Sequence, residues 1–366
     1  MLEMFEVGPC ESSYELGFQI GRRFSDVIGI RLSKDLILQN QLLPWARTEE
    51  SRPLIEALTR SNRDKFPGYW DELIGTAEGS GAPLLEIMLI NFRKEILSFL
   101  PVPEAITAAS NAAIECSDVL VVDESVAVVA HNEDASVALL GHTYLIKGTL
   151  PNQICFVAYT YAGELPSCAF GFNNCGMVLF ISQAFTLNSV PPSKDEIMFG
   201  GVGRNFISRD LLEAKSMNDA LDKIHSSEVS VGHSYNLIDV RSRKILNVET
   251  ASRSRLSIHE VGRNPFFHAN MYLHLQVPQV HDENSITRQK RAATLPKRSK
   301  EDFLSVLGDT EDAKYPIFMT GPTLYTLCTA LMDLDQQTMS IIQGNPKNGE
   351  ISHIFSMLTK ELEIIH

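Results

Sequence analysis

No two of the six cysteines, Cys10, Cys116, Cys155, Cys168, Cys175 and Cys328, are separated by two residues. The usual C-x-x-C spacings of zinc and dithiol sites are therefore missing, and no metal ligand set is predicted. Positive charge is scarce: 32 Lys and Arg face 45 Asp and Glu, a formal net charge of −13. The densest basic stretch, "RQKRAATLPKRSK" (288–300), is one short patch, read as a solvated helix face and loop. That argues against nucleic acid as the main partner and against an anionic membrane surface. Long apolar runs are also lacking, since none approaches the ~18 residues of a membrane span. The N-terminus "MLEMFEVGPCESS" has neither the basic start nor the apolar core of a secretory signal. "EIIH" is not a peroxisomal address. A cytoplasmic, reducing location is the expectation. "GTAEGSG" (75–81) has the glycines of a phosphate loop but follows a helix pattern, so no nucleotide site is predicted.

What is present suits a folded protein. The 366 residues are 44% hydrophobic and 21% charged, enough for a large core. The first hundred residues read as helical. After a pair of N-cap serines, Leu16, Ile20, Phe24, Ile28 and Leu32 recur every four residues. "SRPLIEALTRSNRDKF" and "FPGYWDELIGTAEGSG" predict two more helices, and "PLLEIMLINFRKEILSFL" a buried one. Residues 101–115, "PVPEAITAASNAAIE", carry two prolines and many small residues, and read as an exposed linker.

From Cys116 onward the texture turns to β. The predicted strands are "DVLVVD", "SVAVVAH", "TYLIKGTL", "QICFVAYTY", "MVLFISQ", "SYNLIDV", "KILNVET" and "RLSIHEV". "RNFISRDLLEAK" and "MNDALDKIHSS" interrupt them as helices, and "LCTALMD" with "TMSIIQG" reads as a closing hairpin. Helices segregated from largely antiparallel strands indicate an α+β fold.

Cys116 stands where linker meets strand. A cysteine there is ordinarily a small hydrophobe. A cut before it would make it a new N-terminal residue bearing both a thiol and an α-amine. The amine, with a pKa of about 7.7–8, can accept the proton of a thiol near 8.5. Nucleophile and base would then share one residue. The hairpin of "DVLVVD" and "SVAVVAH" is expected to return Asn132 and Asp134 to the neighbourhood of Cys116.

The ordered motifs resemble those of the acyl-coenzyme A:6-aminopenicillanic-acid acyltransferase family of N-terminal-nucleophile hydrolases, which includes insect β-alanyl-dopamine hydrolases. "SSYELGFQIGRRF" (12–24) is similar to the family's opening helix. "ECSDV" (115–119) stands at its processed cysteine, and "AHNEDAS" (130–136) resembles its G-x-N-x-D segment. "GFNNCGM" (171–177), "GRNFISRDLLEAKSMNDAL" (203–221), "HSYNLIDV" (233–240) and "NVET" (247–250) follow in order. "HANMYLH" (268–274), "SITRQKRAATL" (285–295) and "LCTALMDLDQQTMSIIQGNP" (327–346) complete the series.

The resemblance implies a single four-layer αββα sandwich over 1–366. It also implies self-cleavage between Glu115 and Cys116, in a strained, accessible connection. A helical pro-segment or small subunit, 1–115, would remain associated as a heterodimer with a catalytic segment, 116–366. Carried over, Cys116 is the nucleophile, Asp134 lies near the new amino group, and the Asn270 amide helps form the oxyanion hole. Asn173, His268 and Arg288 are possible substrate or support residues, with ordinary turn, core and surface roles as the alternatives. The expected activity is hydrolysis of an N-acyl amide, or acyl transfer from acyl-coenzyme A as substrate, with no bound cofactor. Two features depart from the pattern: Glu115 replaces the glycine of the best-known members, and Met271 replaces the second histidine of H-x-N-H. Alternatives are a dyad built on Cys175 or Cys328 with a histidine, and a non-catalytic binding protein that keeps the fold.

Overall fold

A computed structural model describes residues 2–100, 115–166, 169–180, 193–228, 230–279, 281–357 and 362–365. The predicted linker, apart from Glu115, lies outside the described residues.

The N-terminal part opens with strand β1 (Met4–Val7) and continues through helices α1 (Ser13–Arg23), α2 (Ser25–Lys34) and a π turn (Leu38–Leu42). It then runs through α3 (Leu43–Ala46), α4 (Arg52–Lys65), α5 (Pro67–Ser80), α6 (Leu84–Asn91) and α7 (Arg93–Leu97). Next come β2 (Glu115–Val122), β3 (Ala127–Ser136), β4 (Thr143–Thr149), β5 (Cys155–Tyr161), β6 (Phe170–Asn173) and β7 (Met177–Phe180). Helices α8 (Lys194–Met198), α9 (Arg204–Leu211) and α10 (Met217–His225) precede β8 (His233–Asp239), β9 (Lys244–Ala251), β10 (Arg255–Glu260) and β11 (Phe266–His268). Helices α11 (Glu283–Thr294) and α12 (Lys300–Leu307) lead to β12 (Leu324–Asp333), β13 (Thr338–Gln343) and β14 (Glu350–Ser356).

Ser12 does cap α1, accepting the Glu15 N–H at 3.1 Å. The four-residue stripe is buried throughout, but the helix breaks at Phe24, whose ring stacks on Tyr144 with centroids 3.6 Å apart. Gly81 ends α5 in the left-handed region, φ 73°, where the missing Cβ removes the usual penalty. The remaining glycines of "GTAEGSG" pack rather than bind. A side chain on Gly75 would strike the Tyr14 carbonyl, and one on Gly79 the Phe18 carbonyl. Gly17 and Gly21 face α5 in the same way, so α1 and α5 cross at backbone distance.

The strands form two sheets, ordered β1-β4-β5-β6-β7-β8-β9-β10 and β11-β2-β3-β12-β13-β14. Among the described residues only the β1–β4 pairing is parallel. Strand alternation sorts the core into layers. In β5, Phe156 and Ala158 join Leu16, Leu73, Ile87 and Phe206 of the helices, while Val157 and Tyr159 join Leu120, Val129 and Ala330 of the other sheet. Val119, Val121, Val128 and Ala130 turn outward onto Ala292, Phe303 and Leu307 of α11 and α12. Helices, sheet, sheet, helices: this is the four-layer αββα sandwich that the resemblance implied.

Candidate active site

The β2–β3 hairpin determines what Cys116 meets. Its register pairs Cys116 with Glu133, Asp118 with His131, Ser117 with Asn132 and Glu115 with Asp134. Residues directly opposite share a face. Cys116, Asp118, His131 and Glu133 therefore point between the sheets, and Ser117, Asn132 and Asp134 point toward α11 and α12. This corrects part of the expectation. Asn132 donates to the Leu307 and Ile317 carbonyls, at 2.8 and 3.3 Å, on the helix side and away from the thiol. Strand β2 also begins at Glu115, so the Glu115–Cys116 bond lies within a paired strand and not in an open connection. The hairpin ladder extends that far because β3 continues to Ser136, past the polar residues expected to stop it.

The inward face is polar, dry and fully bonded. Cys116 is 1% exposed, and Asp118, His131 and Glu133 are completely buried. The thiol donates to Glu133 Oε2 at 3.8 Å, and His131 Nε2 lies 3.0 Å from the same oxygen. His131 Nδ1 lies 2.7 Å from Asp118 Oδ1. Carboxylates only accept, so both ring nitrogens carry protons and the ring is an imidazolium. Burial is the largest influence on His131 and lowers its pKa; the charge and hydrogen bond of Asp118, together with those of Cys116, outweigh it and hold the ring well above its usual range. From the other sheet, the Tyr161 hydroxyl donates to Glu133 Oε1. Asn236 Nδ2 donates to Asp118 Oδ2 at 3.0 Å, and Asn247 orients Asn236 through a 2.8 Å bond. Burial first, then the Glu133 charge, pushes the Cys116 thiol up to about 12, so it is held protonated.

A second set grips the Cys116 backbone. Its N–H donates to Asn270 Oδ1 at 3.2 Å. Arg288, from α11, donates through Nη1 to the Cys116 carbonyl at 2.6 Å and to Ser117 Oγ at 2.9 Å, and through Nη2 to Asn270 Oδ1 at 2.7 Å. With two donors on its oxygen, the orientation of the Asn270 amide is determined. Arg288 is completely buried, which overturns the reading of it as a surface arginine. Arg291, three residues on, is the partly exposed one and pairs with Asp309 at 2.7 Å. Asp134 lies behind the strand, with Oδ1 accepting from Thr326. Burial raises its carboxyl to about 7 despite Arg288. Its Oδ2 has no hydrogen-bond partner.

The other candidates sit elsewhere. Asn173 closes the β6–β7 turn, donating to the Leu212 and Ala214 carbonyls at 2.9 and 2.7 Å. His268 packs beside Phe266, with Nε2 3.7 Å from Glu249. Glu249 in turn accepts the N–H groups of Leu273, His274 and Leu275, anchoring the loop that follows Asn270. Cys328 is buried opposite Glu133 on β12, and burial raises its thiol as well.

Asp118, His131, Glu133 and Tyr161 were not singled out in the sequence, although "AHNED" carried the signal. The ligand atoms of Cys116, His131 and Glu133 lie within 4.8 Å of one another, making them the group among the described residues that could hold a metal ion.

Two sheets lie between helix layers, and a cysteine, an asparagine and a buried arginine converge on one strand end. The class, that of amide hydrolases and acyltransferases of the N-terminal-nucleophile fold, follows from the family match. The sequence profile of the acyl-coenzyme A:6-aminopenicillanic acid acyl-transferase family matches residues 121–348, starting just after Cys116, and the chain belongs to that family. It is 26% identical over 370 residues to the β-alanyl-dopamine/carcinine hydrolase of Drosophila melanogaster, covering 92% of each chain. Among solved structures, the penicillin V acylase of Agrobacterium tumefaciens aligns with TM-score 0.38 and 12% identity, over 68% of this chain and 94% of that one. A variant of the conjugated bile acid hydrolase of Clostridium perfringens aligns with TM-score 0.36 and 12% identity, over 69% and 99%. Among the described residues no helix is long and apolar enough to cross a membrane.

Proposed function

We propose that the protein is a cysteine-dependent hydrolase or transferase of small N-acyl amides, matured by cutting its own Glu115–Cys116 bond. The observation that carries this reading is the grip on the Cys116 nitrogen. Asn270 Oδ1 accepts its N–H, and Arg288 holds both that oxygen and the Cys116 carbonyl. A residue whose backbone nitrogen is to become a catalytic amine needs such a cradle. In the cut, the thiol adds to the Glu115 carbonyl carbon, the C–N bond to Cys116 breaks, and water hydrolyses the resulting thioester. The thiol proton passes to Glu133, its hydrogen-bond acceptor, and the leaving nitrogen takes up a proton to become the new amine. The register sets Asp134 opposite Glu115, one residue from the new terminus, and its unpartnered Oδ2 would offer the amine an acceptor.

In turnover the amine takes the thiol proton and the thiolate attacks the acyl carbon. The Asn270 amide, oriented through its oxygen, donates to the oxyanion, and the amine product leaves. Water, or a second amine, then releases the acyl group. The relative's name makes β-alanyl-dopamine and carcinine the first substrates to test. Segments 1–115 and 116–366 stay together as a heterodimer.

Intact-mass measurement on purified protein tests the proposal. Wild type is expected as two segments starting at Met1 and Cys116, and Cys116→Ala as a single uncut chain. Uncut but active wild type would sink the amine mechanism. A second reading, a binding protein that keeps the fold, is favoured by the protonated thiol and by Glu115; it requires wild type that is both uncut and inactive.

A further inference from the structure

The cluster around the thiol is organised like the ligand set of a divalent metal. Cys116 Sγ, His131 Nε2 and Glu133 Oε2 come from two paired strands. They converge with Nε2–Oε2 at 3.0 Å and Sγ–Oε2 at 3.8 Å. All three donors are within 4.8 Å of one another. Thiolate, imidazole and carboxylate together suit zinc more than the hard cations, which prefer oxygen alone. Two of the three ligands, His131 and Glu133, also have the outer partner that metal sites use to orient them. Asp118 Oδ1 holds His131 Nδ1 at 2.7 Å, the carboxylate–histidine arrangement common around zinc. Tyr161 holds the second oxygen of Glu133, and Asn236 holds the second oxygen of Asp118. These partners come from the opposite sheet, so the set is braced across the core.

We infer that Cys116, His131 and Glu133 form a reversible inhibitory site for Zn²⁺, which closes over the nucleophile and leaves one coordination position open. Binding displaces the thiol proton and the Nε2 proton of the imidazolium and adds one dication. The proton on His131 Nδ1 stays there, donated to the Asp118 carboxylate. The net charge of the buried cluster is the same before and after, so the ion brings no uncompensated charge into the dry space between the sheets. The ligand geometry stands independently of catalysis. Only the inhibitory consequence rests on Cys116 as nucleophile.

Cd²⁺, whose bond to a thiolate absorbs in the ultraviolet, is the probe, with Zn²⁺ as competitor on the purified full-length protein. A saturable band at one ion per chain is expected, lost in Cys116→Ala and displaced by Zn²⁺. His131→Gln and Glu133→Gln are expected to weaken binding by more than the roughly 10–100-fold cost of an outer-partner change. Asp118→Asn should show that smaller loss and serves if a ligand variant fails to melt cooperatively. Amide hydrolysis by wild type should fall with Zn²⁺ and return with a chelator. A missing band, or a band of unchanged affinity in His131→Gln, Glu133→Gln and Asp118→Asn, overturns the site and assigns any ion to the other thiols. If the metal binds as described but wild type is never cut and never active, the site stands and the nucleophile reading falls.

Discussion

At the scale of the residue, the proposed mechanism gives Asn270 two tasks with one amide. Its oxygen is occupied by the Cys116 N–H and Arg288, which aims the nitrogen end as a donor. Asn270→Ala is expected to lower kcat/KM by about 10²–10³-fold, the usual effect of losing one oxyanion donor. Steady-state kinetics on a cut preparation checks it. His233 shows the opposite condition, a titratable group without a partner. Both ring nitrogens lack hydrogen bonds, and the ring is 4.5 Å from Tyr235. Burial, then the charges of Arg204 and Lys94, hold its pKa well below the usual value. It is neutral when folded, whereas the unfolded chain binds a proton below about pH 6.5. Its contribution is therefore present above that pH and lost as pH falls. Melting temperature should drop between pH 7.5 and 5.5, and the drop should shrink in His233→Phe. Glu95, whose carboxyl burial raises, works in the opposite direction and favours the folded state as pH falls.

At the scale of the element, the α1–α5 crossing depends on glycine. Gly75→Ala would drive a methyl into the Tyr14 carbonyl and push the helices apart. A loss of about 1–3 kcal/mol is expected, as for other overpacked contacts, read from urea unfolding. Element by element, the sequence was legible where a pattern was long enough to show its period. Strands β4, β5, β8 and β9 and helices α1, α2, α4, α5 and α6 are of that kind. Strands β1, β6 and β11 have three or four residues, too few to establish an alternation. They exist because neighbours supply hydrogen-bond partners, which only the fold determines. The site divides on the same ground. Cys116, Asn270 and Arg288 were carried by ordered motifs. Glu133 and His131 were missed through parity: the predicted strand "SVAVVAH" ends before "NED", although the strand continues to Ser136. One residue of register decides which side chains face the thiol. Pairing Cys116 with Glu133 turns His131 inward and Asn132 outward.

At the scale of the whole molecule, the two segments separated by the proposed cut are bound by buried charge. Arg209 of α9 pairs with Glu72 of α5 at 3.1 Å, both essentially buried, and Arg31 of α2 pairs with Glu164 after β5. Glu72→Ala leaves the buried Arg209 guanidinium with Glu213 as its remaining carboxylate partner and should cost about 1–3 kcal/mol in chemical denaturation. After cleavage, segments 1–115 and 116–366 should co-elute under native conditions and separate only in denaturant.

Strand β1 gives that association a direction in time. Met4–Val7 forms the edge of a sheet whose other seven strands follow Cys116. In a newly made chain, bringing Met4 to Leu145 closes a loop, a unimolecular search at any dilution. Once the chain is cut, the same pairing joins two separate molecules, and its recovery depends on concentration. The uncut Cys116→Ala chain should therefore refold at a rate independent of dilution, while the denatured mature protein recovers more slowly as it is diluted. Maturation would leave a protein assembled readily once, at synthesis, and kept folded afterwards by slow unfolding rather than by ready return.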